Sequence, residues 1–352
     1  MFFIVTYHFI IQVGGNLINS TNGNFNSLII LINFLIIVHV NSFILVTGYF
    51  QDKKKFNLKS FLSLLFMIYF YKVAIAIIFM IFNLSQYDSI DLYKAFSPLE
   101  WDNYWFLKIY CILYILSPFI NILIKNLNQK DHKKLLIILF VIFSVIPTLT
   151  TQRTVSNIGF SIEHFIFIYL IGSYFAKYPL KNNIHFKNYS SKKTIIILLT
   201  SYVFIGVVRF LLYEFCSKIL IYKDETILSE LNRIVTFNIH NYHTPLLIIQ
   251  SICYFLAFEA LIFKSKIINT ISSSILAVYL ITDNYVVRDN IYKWLGIKKD
   301  IILYSNIIPR VLLYIILIMI ICILIEIIRK FLEYIIIYIY KKIRKRKNKT
   351  YV

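Results

Sequence analysis

The sequence has 352 residues, is 59% hydrophobic and carries a formal charge of +20, with a mean hydropathy of +0.71. A water-soluble domain of this length needs a polar coat, so the apolar content excludes an ordinary soluble protein. The lysines and arginines cluster in short segments between apolar runs, which is a membrane-topology pattern and argues against a nucleic-acid surface.

Apolar runs of the length that crosses a bilayer recur along the chain. They predict an all-α integral membrane protein of about ten transmembrane helices, at 1–18, 26–50, 60–83, 104–124, 135–150, 161–176, 194–213, 243–263, 267–287 and 303–328. Helix one has no basic leader and no small-residue cleavage site, so it reads as a membrane helix and not as a signal peptide. It carries His8, either a packing histidine bonded to a backbone carbonyl or a base that takes a proton from an alcohol.

Helix two carries His39 and Asn41 and ends at Thr47-Gly48-Tyr49. His39 reads as a packing or supporting residue. Gly48 permits close approach of a neighbouring helix or a ligand. Helix four opens at Tyr104-Trp105, an aromatic pair that fits an interface belt, and Pro118 near its other end suggests a kink. Glu163 and His164 open helix six and read as solvated interface residues. Helix nine carries Asp283 and Arg288, which form either a structural ion pair or the rim of an acceptor site. The segment 329–347 mixes Ile and Tyr with Lys and Arg, and continues helix ten as a basic interfacial helix. The expected division is therefore a transmembrane domain over 1–328 and a basic cytoplasmic tail over 329–352.

Five segments, following helices two, four, six, eight and ten, hold 24 of the 37 cations, and the opposite loops hold nine. That asymmetry places those segments and both termini in the cytoplasm. The four cysteines (Cys111, Cys216, Cys253, Cys322) have no paired spacing, so neither a metal motif nor a disulfide framework is expected. No phosphate loop, GxSxG elbow, HExxH or CxxC pair is present.

Five blocks together resemble the bacterial acyltransferase family 3, integral membrane O-acyltransferases of surface polysaccharides. They are Phe3–Phe9 with Gly14-Gly15, Val40–Phe50, Tyr104–Tyr110 running into Leu116–Asn121, His164–Tyr174, and Ala277–Asn284. The resemblance implies transfer of an acetyl or short acyl group from acyl-CoA to a hydroxyl of a cell-surface glycan or its lipid-linked precursor. His8 falls at the position of the family's catalytic histidine. The acyl-CoA is a substrate, and no bound cofactor or metal is implied. A cytoplasmic basic loop would hold its phosphates, for which Lys53, Lys54, Lys55 and Lys59 stand beside Gly48-Tyr49, although the same lysines also serve topology. The implied partners are the bilayer, acyl-CoA and a glycan acceptor in the bacterial plasma membrane, with no nucleic acid.

Three positions depart from the family pattern. An arginine usual about ten residues before the histidine would fall before Met1. The usual serine before the helix-two glycine is Thr47, and a common His-Asp pair is Thr282-Asp283. The alternatives are a precursor transporter or flippase, disfavoured by the lack of internal repeats, and a polysaccharide polymerase. The acidic and moderate loop 214–242 disfavours the polymerase.

Overall fold

The computed structural model describes residues 1–11, 23–51, 56–82, 89–97, 104–150, 157–180, 192–219, 239–261, 264–294 and 307–349, and these are helical with no strand among them. In chain order the helices are α1 (Phe2–Phe9), α2 (Gly23–Ile36), α3 (His39–Gln51), α4 (Leu58–Ile81), α5 (Ser89–Phe96), α6 (Trp105–Asn126) and α7 (Gln129–Phe140). After a π-turn at Val141–Val145 come α8 (Ile146–Thr148), α9 (Ile162–Lys177), α10 (Lys192–Ile219) and α11 (Pro245–Glu259). Then follow α12 (Lys266–Ser272), α13 (Ile275–Thr282), α14 (Tyr285–Trp294) and α15 (Ile307–Lys349).

Among the described residues, five stretches are long and apolar enough to cross a membrane: Ser27–Gln51, Leu58–Ile81, Trp105–Asn126, Lys192–Ser217 and Val311–Ile335. Most of the other expected spans are shorter or interrupted helices, and each interruption has a local cause. The expected single helix over 26–50 breaks at Ile37-Val38. Ile36, Ile37 and Val38 are β-branched and hold a helix weakly. The carbonyls freed by the break are met by side chains. Phe34 O accepts from Gln250 Nε2 (3.1 Å) and Arg209 Nη1 (3.4 Å), and Leu35 O accepts from the Tyr202 hydroxyl (2.6 Å). Ile36 O pairs with His39 Nδ1 at 3.0 Å. A backbone break in an apolar setting requires such substitutes.

The π-turn at Val141–Val145 precedes Pro147. Proline lacks an N–H and its ring crowds the carbonyl four residues back, so a wider turn accommodates it. The expected helix over 267–287 is three pieces, α12 to α14. Asn284 starts the last by accepting the Val286 N–H on its side-chain oxygen (3.2 Å).

The chain forms two compact units. The first comprises 1–9, 67–97 and 264–352, and the second comprises 10–66 and 98–263. In the first unit α1 packs on α13 and α15. Glu326 of α15 is fully buried and satisfied by the Tyr71 hydroxyl (2.6 Å) and by Arg329 Nε (2.7 Å) and Nη2 (2.9 Å). In the second unit the closest crossing is α3 on α9. A Cβ at Gly48 would collide with the Tyr169 carbonyl, and one at Gly172 with the Leu45 carbonyl, so the two backbones touch. Both glycines serve helix packing. Asn121 joins the same region by donating to Gln51 O and accepting from the Tyr169 hydroxyl, each at 2.8 Å.

Candidate active site

In the first unit, α1 carries His8 and the α13–α14 break carries Asp283. The break places Asp283 at the end of a buried helix whose last turns, Val278 to Thr282, are themselves buried. Arg288 lies one turn into α14. His8 Nε2 stands 3.6 Å from Asp283 Oδ1, and Arg288 Nη1 stands 3.9 Å from the same oxygen. The side chains are 15%, 7% and 35% exposed respectively, so the carboxylate is the most enclosed member and the guanidinium faces outward. A carboxylate in an apolar helix bundle is costly unless cations or donors face it. Here Arg288 faces it from one direction and the imidazole from another. The Tyr279 ring lies 6.4 Å from the His8 ring, centroid to centroid.

This arrangement has chemical direction. With Nε2 turned to the carboxylate, the other ring nitrogen, Nδ1, is buried and has no hydrogen-bond partner among the described residues. The imidazole thus faces an acid through one nitrogen, at an ion-pair distance longer than a hydrogen bond, and an imidazole so placed can take a proton from an alcohol through the other. Asp283 and Arg288 were legible from sequence as a pair, but their convergence on His8, some 275 residues distant in the chain, was not.

The remaining sequence candidates fall in the second unit. Asn41 donates to Tyr242 O (2.9 Å), and its oxygen meets His164 Nε2 at 2.9 Å. His39 is bonded to the backbone and lies edge-on to Tyr242, as a packing residue does. Thr47 returns its hydroxyl to Phe43 O (2.9 Å). The Tyr49 hydroxyl donates to Glu259 Oε1 (2.9 Å). Trp105 joins an aromatic group with Phe160 and Tyr242 at centroid distances of 4.4 and 5.9 Å. Lys59 is exposed at the start of α4, whereas Lys53, Lys54 and Lys55 lie outside the described residues.

Sequence reasoning missed two buried polar centres. Glu163 is exposed as expected, but its neighbour His164 is 1% exposed. Arg209, noted only as a cation within a helix, is fully buried and holds Phe34 O, Ile239 O (2.6 Å) and Gln250 Oε1 (2.8 Å). An arginine inside an apolar run signals a polar partner, although nothing in the run names that partner.

The family model described as an acyltransferase domain matches residues 1–327. Comparison with curated proteins and with solved structures found no match.

Proposed function

The chain belongs to acyltransferase family 3, and from that premise we propose that it moves an acetyl or other short acyl group from acyl-CoA to a hydroxyl of a cell-surface polysaccharide or its lipid-linked precursor. It is a multi-pass helical membrane protein with an acyltransferase domain. The proposed setting is the bacterial plasma membrane. Family membership favours the enzyme over the transporter and polymerase readings.

The observation that carries the mechanism is the pairing of His8 with Asp283. The Asp283 carboxylate favours a proton on Nε2, which leaves the Nδ1 lone pair toward the substrate. Nδ1 takes the proton of the acceptor hydroxyl as its oxygen attacks the thioester carbonyl. The carbon–sulfur bond breaks, the acyl group ends on oxygen, and the CoA sulfur leaves with the proton returned by the imidazolium. Asp283 stabilises that imidazolium while it lasts. Arg288 sets a positive charge 3.9 Å from the same carboxylate oxygen and is the positioning residue of the set. Lys59, with the neighbouring lysines, is the proposed attraction for the CoA phosphates.

His8→Ala tests this reading, with acyl transfer to glycan and CoA thiol release measured in membranes. A general base contributes about 10²- to 10⁴-fold, so transfer should fall by at least the lower figure while the protein still inserts. Asp283→Asn should give a smaller loss at the same protein level. Wild-type transfer in His8→Ala would refute the catalytic role.

A further inference from the structure

The His164–Asn41 pair in the second unit takes no part in the chemistry proposed above. The Tyr242 carbonyl only accepts, so the nitrogen of the Asn41 side chain must face it, at 2.9 Å. The Asn41 oxygen is then the atom 2.9 Å from His164 Nε2, and the ring must donate to it. With that proton on Nε2 of a neutral ring, Nδ1 carries the lone pair. Nδ1 is buried and has no hydrogen-bond partner among the described residues. A bare buried acceptor destabilises a fold, so native chains retain one chiefly where a ligand or water supplies the donor.

The orienting group separates the two histidines by role. A carboxylate beside His8 stabilises an added proton, as a base requires. An amide beside His164 fixes the ring but offers no compensating charge, which suits a hydrogen-bond acceptor. The surroundings indicate the class of donor. The rings of Trp105, Phe160 and Tyr242 form one group, with 5.1 Å between the last two, and Trp105 and Phe160 remain partly exposed. An aromatic wall with a few fixed polar groups suits a ligand with an apolar face and a hydroxyl edge, as a pyranose ring has. The adjoining backbone is strained. Asn157 and Ile158 have φ of 38° and 54°, rare for a β-branched residue, and Gly159 has φ of 94°. A Cβ at Gly159 would meet Tyr242 Cβ at 2.5 Å and the His243 nitrogen at 2.9 Å. Strain of this kind clusters at ligand sites.

We infer that His164, oriented by Asn41, is a hydroxyl-recognition residue for a sugar ligand, with the partly exposed rings of Trp105 and Phe160, backed by the buried Tyr242, as the wall for its apolar face. This site rests on the reading of a glycan as the acyl acceptor. The full chain in lipid nanodiscs is titrated with the methyl glycosides of glucose, galactose and N-acetylglucosamine. Trp101→Phe and Trp294→Phe leave Trp105 as the sole reporter of the three tryptophans. A saturable fluorescence change is expected with at least one sugar and none with glycerol at matched hydroxyl concentration. His164→Phe should weaken the apparent affinity by about fivefold or more, the loss of one hydrogen bond. His164→Asn, which keeps an oxygen acceptor near the place of Nδ1, should retain most of it. The titration is run without acyl-CoA and reads binding alone, so a failure of the catalytic reading leaves this measurement standing. Three results overturn the inference: no saturable response to any of the sugars, an equal response to glycerol, or an unchanged midpoint in His164→Phe.

Discussion

His240 lies between the rings of Phe34 and Tyr213, at 4.5 and 5.0 Å, beside the buried Arg209. Burial pushes its pKa down to about 4, and the Arg209 charge acts in the same direction. An unfolded histidine titrates near 6.5. Between pH 6.5 and about 4 the unfolded chain therefore binds a proton that the folded chain refuses. Stability from this residue is fully present above 6.5 and declines as the pH falls through that window. A loss of about 2 kcal/mol by pH 5 is expected, read as the thermal midpoint in detergent at pH 7 and pH 5. His240→Phe keeps the ring contacts and should flatten that slope. An unaltered slope would show that the proton goes elsewhere. Arg209 itself shows why the sequence underspecifies a residue. Its partners are Gln250, Ile239 O and Phe34 O, and the last belongs to a helix break 175 positions away.

At the level of elements, the crossing of α3 and α9 is the tightest in the second unit. Gly48 and Gly172 are each opposed to a backbone carbonyl, and a carbonyl has no rotamer with which to yield. Gly48→Ala should therefore cost about 1–3 kcal/mol, the usual price of overpacking, and Gly48→Leu should leave little folded protein. The amount recovered in detergent as a monodisperse peak measures both. Equal recovery of all three chains would mean that the crossing is looser than the backbones indicate. The same crossing sets Asn41, seven residues before Gly48, against His164, eight before Gly172, so packing glycines position the polar pair. The helix breaks at Ile37-Val38 and Asp283-Asn284 were not legible as breaks. Hydropathy registers an apolar run as continuous whether or not its backbone is, and only side chains from other helices decide whether freed carbonyls are tolerated.

For the whole molecule, the basic segments predict direction. A reporter fused after Lys55 should be cytoplasmic and one fused near Asp91 external, with both termini cytoplasmic. Protease accessibility in intact cells checks this, and the reverse pattern would invert the topology. The 43 residues of α15 span about 65 Å at the helical rise, roughly twice the hydrocarbon thickness. Its apolar part, Val311–Ile335, suffices for the crossing. The basic remainder continues as helix, as the alternation of aromatic and cationic residues in the sequence indicates.

The membrane class, most helix positions and the family were determined by sequence alone, because hydropathy and local motif are properties of neighbouring residues. The pairing of His8 with Asp283, the burial of His164 and the partners of Arg209 were decided only by tertiary structure. Each of these depends on which distant helix turns a polar side chain inward, and the free energy that rewards such a choice, the satisfaction of a group that water cannot reach, exists only once the helices are packed.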